Sequence, residues 1–145
     1  MNKGKAADLK VRFPKLYDEA ILLLPDGWYQ FVEDLLAELT TIHNEAPARP
    51  EHAGVVDLWI RYLNSTATAY ITPNLDTWGA EQAVACLESV ARFNRNTNRT
   101  CQICGKPAVG RLKYMDPVIS EKPRPDEILC DGHMEARRWP DRIMH

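Results

Sequence analysis

The sequence predicts an α+β protein with an α-rich N-terminal part, a small central β-hairpin and a C-terminal treble-clef-like or ribbon-like zinc finger. Apolar residues recur at helical spacing over 28–43 and 77–94, and they alternate on both sides of a turn within 55–72. Two pairs of metal-ligand residues then follow towards the end of the chain. Within 145 residues we therefore expect a helical domain over 1–98 and a zinc module over 99–145 packed on it.

Two of the expected helices precede the hairpin. Apolar side chains recur at helical spacing from Pro14 to Leu24, and proline is tolerated in a first helical turn. A Pro-Asp-Gly turn follows, and its Asp26 is the expected N-cap of the next helix. From Trp28 to about His43 a wide apolar stripe is opposed by acidic residues, which predicts a long amphipathic helix.

The centre of the chain is predicted to form a β-hairpin. After a proline-containing loop over 44–54, apolar and polar residues alternate along 55–63. Asn64 and Ser65 suit a turn into a second β-rich run over 66–72. The residues 55–63 also satisfy a helical period, so a helix is the alternative to the first strand.

A third helix is expected to lead into the first pair of metal ligands. It begins at a cap formed by Asp76 or Thr77 and runs to about Asn94. Cys86 lies within it, apart from the other three cysteines. The residues expected on its buried side follow the helical period and are Ala80, Ala83, Val84, Leu87, Val90 and Ala91.

Two ligand pairs predict a closed metal site. Cys101 and Cys104 form a Cys-x-x-Cys pair, Cys130 and His133 form a Cys-x-x-His pair, and the 25 residues 105–129 connect them. Three thiolates and one imidazole at this local spacing are typical of a structural, tetrahedral zinc site. A site closed by four protein ligands leaves no position for a substrate. The expected cofactor is therefore a structural Zn²⁺.

The elements expected around these ligands indicate the kind of finger. Gly105 permits the positive φ that a Cys-x-x-Cys turn often needs. A hairpin is expected through about 109–114 and 127–129, followed by a helix over 131–139 that a proline ends. The order of knuckle, hairpin and helix favours a treble-clef-like finger, and a zinc ribbon is the alternative.

No catalytic chemistry is expected. A nuclease of the HNH type would need a histidine in the connection 105–129, which contains none. A zinc deaminase would need His-x-Glu ahead of Pro-Cys-x-x-Cys and an open metal position. The chain also has no glycine-rich phosphate loop, and no small-molecule substrate is evident. We expect a non-enzymatic protein that acts by binding.

Hydropathy and cysteine usage favour the cytoplasm. Three of the four cysteines fall in the metal pattern, which fits a reducing compartment better than disulfides do. No apolar run reaches about 18 residues, so no membrane span is expected. Residues 1–12 are charged and lack the apolar centre of a secretory signal.

Charge is distributed unevenly along the chain. The net charge is +4 over residues 1–15, −10 over 16–90 and +4 over 91–145, which gives the formal −2 of the whole protein. The basic C-terminal part could face phosphate, so nucleic-acid binding through 92–113 and 137–142 is one hypothesis. The candidate contacts are Arg92, Arg95, Arg99, Lys106, Arg111, Lys113, Arg137, Arg138 and Arg142.

A protein partner is the competing hypothesis. The long helix within 26–43 carries an acidic face that could dock on a basic target, in which case the protein would be an adaptor or an inhibitor. The candidate contacts on this helix are Glu33, Asp34 and Glu38. Solvated faces that keep a small protein soluble are the simpler explanation of both charged surfaces.

The order of four motifs resembles a family of small phage- or prophage-encoded proteins of unknown function. The motifs are Phe13-Pro14-Lys15-Leu16-Tyr17, Asp26-Gly27-Trp28-Tyr29, Arg99-Thr100-Cys101-Gln102-Ile103-Cys104-Gly105 and Leu129-Cys130-Asp131-Gly132-His133. The family has a Lys-Glu-Lys-Phe-Gly-like hairpin that this chain lacks, so no role of that hairpin transfers. The resemblance implies no enzyme activity. It implies a phage accessory protein in the host cytoplasm that modulates a host or defence protein.

Overall fold

The computed structural model describes residues 1–45, 57–73, 78–114 and 125–138. The helices are α1 (Lys3–Arg12), α2 (Tyr29–Glu45), α3 (Ala80–Thr97) and α4 (Asp131–Arg138), and two short 3₁₀ helices span Glu19–Leu23 and Asp26–Trp28. The strands are β1 (Asp57–Leu63), β2 (Thr66–Thr72), β3 (Gly110–Leu112) and β4 (Glu127–Leu129). They form two separate antiparallel hairpins, β1–β2 and β3–β4. Helices together with small hairpins confirm the α+β class.

The long amphipathic helix α2 is the centre of the core. Val32, Leu35, Leu36 and Leu39 are buried on one side of it, at the spacing that the sequence indicates. Trp28 is fully buried just ahead of it, with its ring edge-on to Tyr62 of β1 at a centroid distance of 6.0 Å. Helix α2 therefore joins the first hairpin and α3 into one hydrophobic cluster.

The first 28 residues differ from expectation. Helix α1 is an additional element, capped by the side chain of Asn2 and buried through Ala6 and Leu9. The helix expected over 14–24 is only a 3₁₀ helix, because Asp18 is extended and its carboxylate accepts the N–H of Ala20.

The predicted N-cap of α2 is also wrong. The side chain of Asp26 accepts the backbone N–H of Asn2, and the chain enters α2 through a 3₁₀ turn that follows Pro25. The Asp26 carboxylate therefore fastens α1 to the entry of α2. The loop expected over 44–54 and the caps Asp76 and Thr77 lie largely or wholly outside the described residues.

The first hairpin agrees with the prediction and excludes the helical alternative for its first strand. Asn64 and Ser65 have φ of 48° and 58°, the left-handed pair that a two-residue hairpin turn requires. Strands β1 and β2 pair over their whole length, with Ile60 opposite Ala69.

Two side chains occupy the outer edges of this hairpin at the same rung. The N–H of Ile60 donates to the carboxylate of Asp18 at 2.9 Å. On the other strand, Asn94 accepts the N–H of Ala69 at 2.7 Å and donates to its carbonyl at 3.2 Å. The outward N–H of Ile60 and both outward backbone groups of Ala69 are thus paired within the fold.

Helix α3 is rotated relative to the predicted stripe. Ala83 and Val90 are buried as expected, but Val84 and Leu87 are 53% and 50% exposed and Ala80 is also exposed. The helix carries two apolar stripes, and periodicity alone does not say which of them faces the core. The buried stripe consists of Ala83, Cys86, Ser89, Val90, Phe93 and Thr97.

The C-terminal part follows the predicted order of knuckle, hairpin and helix. Residues 101–104 form the knuckle, β3 pairs with β4, and α4 begins directly after Cys130. The treble-clef assignment and the division at residue 98 stay predictions. No helix in the described ranges combines the length and the apolar character needed to cross a membrane.

Candidate metal centre

Four side chains converge where the knuckle meets α4. The ligand atoms of Cys101, Cys104, Cys130 and His133 all lie within 4.8 Å of one another. The structure thus brings together all four predicted ligands, which could hold a metal ion.

The spacing of these atoms fits a tetrahedral ion. The sulfurs of Cys104 and Cys130 are 3.7 Å apart, and His133 Nδ1 lies 3.4 Å from the Cys101 sulfur and 3.2 Å from that of Cys130. A tetrahedral zinc with metal–sulfur bonds of about 2.3 Å places two sulfurs about 3.8 Å apart. The same geometry places sulfur and nitrogen about 3.6 Å apart, so a central ion fits with small adjustments.

A disulfide does not explain the cluster. All four cysteines are free thiols, and the 3.7 Å between Cys104 and Cys130 far exceeds the roughly 2.05 Å of a disulfide bond. Both close contacts of His133 are made by Nδ1. That nitrogen is therefore the one positioned to bind a metal ion, and the ring proton would then lie on Nε2.

The knuckle owes its shape to backbone hydrogen bonds and one glycine. The N–H of Cys101 donates to the carbonyl of Lys106, and the N–H of Gly105 donates to the carbonyl of Cys101. Gly105 has a φ of +75°, a conformation that residues with a side chain rarely adopt. Tight turning at this point brings the sulfurs of Cys101 and Cys104 to the same side.

The protein environment prepares Cys101 for ionisation. Burial would raise the pKa of its thiol, but the backbone N–H groups of Cys104, Cys130 and Ile103 outweigh this and lower the pKa to about 6. For Cys104 the N–H of Lys106 favours the thiolate, yet burial and the neighbouring sulfurs raise the pKa overall. Several thiolates in one site repel each other, and a bound cation would remove that conflict.

A small apolar cluster and an ion pair hold the second ligand pair in place. Leu129 and Met134 are buried beside Cys101, and the N–H of Met134 donates to the carbonyl of Cys130. Arg137 of α4 donates twice to the carboxylate of Glu127 on β4, at 2.9 and 3.2 Å. These contacts fix α4 against β4, so Cys130 and His133 keep their relative positions.

The metal knuckle is attached directly to the entrance of α2. The indole of Trp28 donates to the carbonyl of Thr100 at 3.0 Å, and the N–H of Gly27 donates to the carbonyl of Gln102 at 3.0 Å. A Cβ on Gly27 would stand 2.5 Å from the Cys101 carbonyl oxygen, and one on Gly105 would stand 2.8 Å from the carbonyl oxygen of Gly27. The backbone at the entrance of α2 and the backbone of the knuckle can approach this closely because both Gly27 and Gly105 lack a side chain.

Several of the basic residues predicted to contact nucleic acid are engaged within the fold. Arg92 pairs with Glu38 of α2 at 2.7 Å, and Arg137 pairs with Glu127. Arg111 donates to the carbonyl of Asn64 and lies 3.7 Å from Asp126. Within the described ranges, no ion pair involves Arg95, Arg99, Lys106, Lys113 or Arg138. Arg142 lies outside these ranges.

The acidic residues predicted to meet a protein partner connect the helices instead of forming one open face. Glu33 pairs with Arg12 of α1, and Glu38 pairs with Arg92 and accepts a hydrogen bond from Ser89 of α3. Asp34 is exposed and accepts a hydrogen bond from Gln30.

An exposed aromatic pair is the feature that sequence reasoning missed. Trp59 and Tyr70 are direct cross-strand partners on the outward face of the first hairpin, 67% and 55% exposed. Leu63 on the same face is 55% exposed. The alternation along 55–63 contained this signal, because every second residue of a strand faces away from the core.

Comparisons with known proteins give no relative. No protein-family model, no curated protein and no solved structure matches this chain.

Proposed function

We propose that this is a non-enzymatic binding protein whose C-terminal module is held together by one structural zinc ion. The observation that supports the proposal is the complete set of four protein ligands, whose ligand atoms all lie within 4.8 Å of one another. Three thiolates and an imidazole form the ligand set of structural zinc, whereas catalytic zinc keeps an open position for water or substrate. The metal ion would then stabilise the fold of the C-terminal module, and surface residues would perform the binding.

Metal analysis tests the first half of this proposal. Protein purified without chelator should contain one zinc per chain, and Cys104→Ser should lose most of it. Cys86→Ser is the matched control, because Cys86 is buried in α3 away from the ligands. Equal zinc content in both variants, or none in the wild type, would refute the assignment.

We propose a protein partner that meets the outward face of the first hairpin. Exposed aromatic side chains are enriched where proteins bind each other, and Trp59 and Tyr70 form such a pair. The resemblance to small phage-encoded proteins makes a host or defence protein the proposed class of partner, with inhibition or modulation as the outcome. That class rests on the resemblance alone.

Affinity purification from bacterial lysate, with and without nuclease, tests this proposal. A partner that survives nuclease, is lost with Trp59→Ala/Tyr70→Ala and is retained with the control Val109→Ala would support it. Val109 is 63% exposed and lies in the C-terminal module, so its replacement shows the effect of losing exposed apolar area away from the first hairpin. If Trp59→Ala/Tyr70→Ala captures the partner as well as the wild type does, the partner does not bind this face of the hairpin.

Nucleic-acid binding is the second candidate. It is favoured by the exposed guanidinium groups of Arg95 and Arg99 at the end of α3, which pair with no acid within the described residues. Binding of a short labelled oligonucleotide at about 50 mM salt should weaken steeply as salt rises. It should fall with Arg95→Ala/Arg99→Ala and be unaffected by the control Lys10→Ala on α1. Absence of binding at low salt would eliminate this candidate.

A further inference from the structure

Helix α3 presents an apolar stripe that the described part of the chain leaves uncovered. Ala80, Val84, Leu87 and Ala91 recur at spacings of four, three and four residues. Val84 and Leu87 are 53% and 50% exposed, and Ala80 is exposed. This is the spacing of the seam along which two helices pack against each other.

A shallow groove continues this stripe towards α2. It encloses about 360 Å³ between the two helices. Small and aliphatic residues, Ala37 and Ile42 of α2 and Ala85 of α3, form its apolar part. The groove is also lined by Glu38, Thr41, Glu88 and Arg92, so charged side chains border the apolar surface of α3 on the side of α2. The helix is 18 residues and about 27 Å long.

The charges flanking the stripe are divided between the two halves of the helix. Glu81 and Glu88 lie in the N-terminal half, whereas Arg92 and Arg95 lie in the C-terminal half. Arg92 pairs with Glu38, but no ion pair of Glu81, Glu88 or Arg95 occurs within the described ranges. Two copies of a helix with this charge distribution attract each other when they lie antiparallel.

We propose that α3 is the interface of a homodimer in which the α3 helices of two copies pack antiparallel. An antiparallel pair related by a two-fold axis brings the same surface of both chains together. With the axis near Glu88, Glu81 of one copy lies level with Arg95 of the second, and Leu87 packs close to the axis. Each Glu88 then lies within about one turn of Arg92 of its own chain and of the second copy.

A second copy fits this surface better than an unrelated partner, because the two-fold symmetric antiparallel arrangement also brings opposite charges together. One register covers the apolar stripe and places each Glu81 against an Arg95, while the two Glu88 side chains meet at the axis with Arg92 of both copies within about one turn. A parallel arrangement would set Glu81 against Glu81 and Arg95 against Arg95. The surface is distinct from the hairpin face and from the metal centre, so the dimer can fail independently of the zinc site and of the protein partner. Arg95 also belongs to the nucleic-acid candidate, whereas Leu87 does not, so Leu87→Glu separates the dimer from that candidate as well.

Sedimentation equilibrium on the full chain tests the dimer. The wild type should show a concentration-dependent monomer–dimer equilibrium, and Leu87→Glu should weaken it by at least about tenfold by burying an unpaired charge. The matched control is Val11→Glu, because Val11 is 80% exposed on α1, away from the proposed interface. Circular dichroism confirms that each variant is folded. A strictly monomeric wild type, or a dimer indifferent to Leu87→Glu, would overturn the proposal.

Charge reversal tests the antiparallel register. Glu81→Arg and Arg95→Glu should each weaken self-association, since either change places like charges opposite each other. Mixing the two variants should form a heterodimer, because the charges at positions 81 and 95 are then opposed with opposite sign in both pairs. Native mass spectrometry distinguishes the species when one variant carries a tag. Failure of the mixture to associate more tightly than either variant alone would exclude this register.

Discussion

Trp28 and Thr100, 72 residues apart in sequence, are joined by a buried hydrogen bond of 3.0 Å from the indole nitrogen to the backbone carbonyl. Trp28 stands at the entrance of α2, and Thr100 immediately precedes the first cysteine of the metal knuckle. The bond therefore joins the core of the helical part to the backbone of the metal centre.

Replacing Trp28 by phenylalanine should leave the Thr100 carbonyl without this donor. We expect a loss of about 1–3 kcal/mol in the free energy of unfolding, together with weaker zinc retention, because the knuckle loses a fixed neighbour. Chemical denaturation and a competitive chelator titration measure the two effects. Trp59→Phe, at an exposed position, should change neither; equal effects of the two substitutions would contradict this account.

Gly27→Ala should destabilise the protein, because its methyl group would collide with backbone atoms of the knuckle. The added carbon would stand 2.5 Å from the Cys101 carbonyl oxygen and 2.8 Å from that of Gln102. We expect a loss of about 1–3 kcal/mol in the free energy of unfolding.

Gly132→Ala is the control for that substitution. A Cβ at Gly132, in the first turn of α4, meets nothing within 4 Å, and alanine at an unstrained position stabilises by about 0.4–1 kcal/mol relative to glycine. Thermal melts of the two variants should therefore move in opposite directions. A neutral Gly27→Ala would show that the two backbones do not meet as described.

Removal of the metal should unfold the C-terminal module while leaving most of the helical content of α1 to α3 intact. Structural zinc contributes on the order of 10 kcal/mol to the folding of small modules. The chain has four tryptophans, and because Trp28 contacts the knuckle, the fluorescence change on chelation should be smaller in Trp28→Phe than in the wild type. Far-UV circular dichroism and tryptophan fluorescence before and after chelator, with zinc added back, measure this. Identical spectra throughout would argue against a structural metal.

Cys86 should be protected from alkylation and should make stability sensitive to alkaline pH. Burial raises the pKa of its thiol to about 11 from an ordinary value of 9.0. The unfolded thiol ionises first, so the stability contributed by the protonated thiol is complete below pH 9 and is lost as pH rises through 11.

Comparison with Cys86→Ala isolates that effect from other groups that titrate in the same range. Between about pH 8 and 11, the wild type should lose more unfolding free energy than the variant. Denaturant titrations at several pH values measure the difference. Parallel pH profiles would show that Cys86 ionises as readily in the folded as in the unfolded chain.

The sequence predicts those features whose signal is local. The four metal ligands follow from two short spacings, and the first hairpin follows from alternation around Asn64 and Ser65, whose left-handed backbone is local turn chemistry. The helix α2 follows from its wide apolar stripe. Each ligand pair, the hairpin and α2 is contained in a stretch of fewer than about twenty residues, although the two ligand pairs meet across the 25 residues that connect them.

Features that depend on distant partners were not predictable. Helix α1 buries only Ala6 and Leu9, too few apolar residues for a clear period. Which of the two apolar stripes of α3 becomes buried depends on where α2 and the first hairpin lie. The sequence of α3 alone does not contain that information. Gly27 and Gly105 lie in segments more than seventy residues apart in sequence. A glycine does not by itself indicate which distant segment packs against it.

The side chains of Asp18 and Asn94 determine how the first hairpin can be approached. A foreign β-strand that tried to extend the sheet at Ile60 or Ala69 would have to displace a carboxylate on one edge or an amide on the other. Growth of the sheet by strand addition is thereby blocked at this rung on both sides. A protein that docks on this hairpin without displacing either side chain would meet its outward face at Trp59 and Tyr70, and the two edge side chains also oppose the edge-to-edge stacking that begins aggregation.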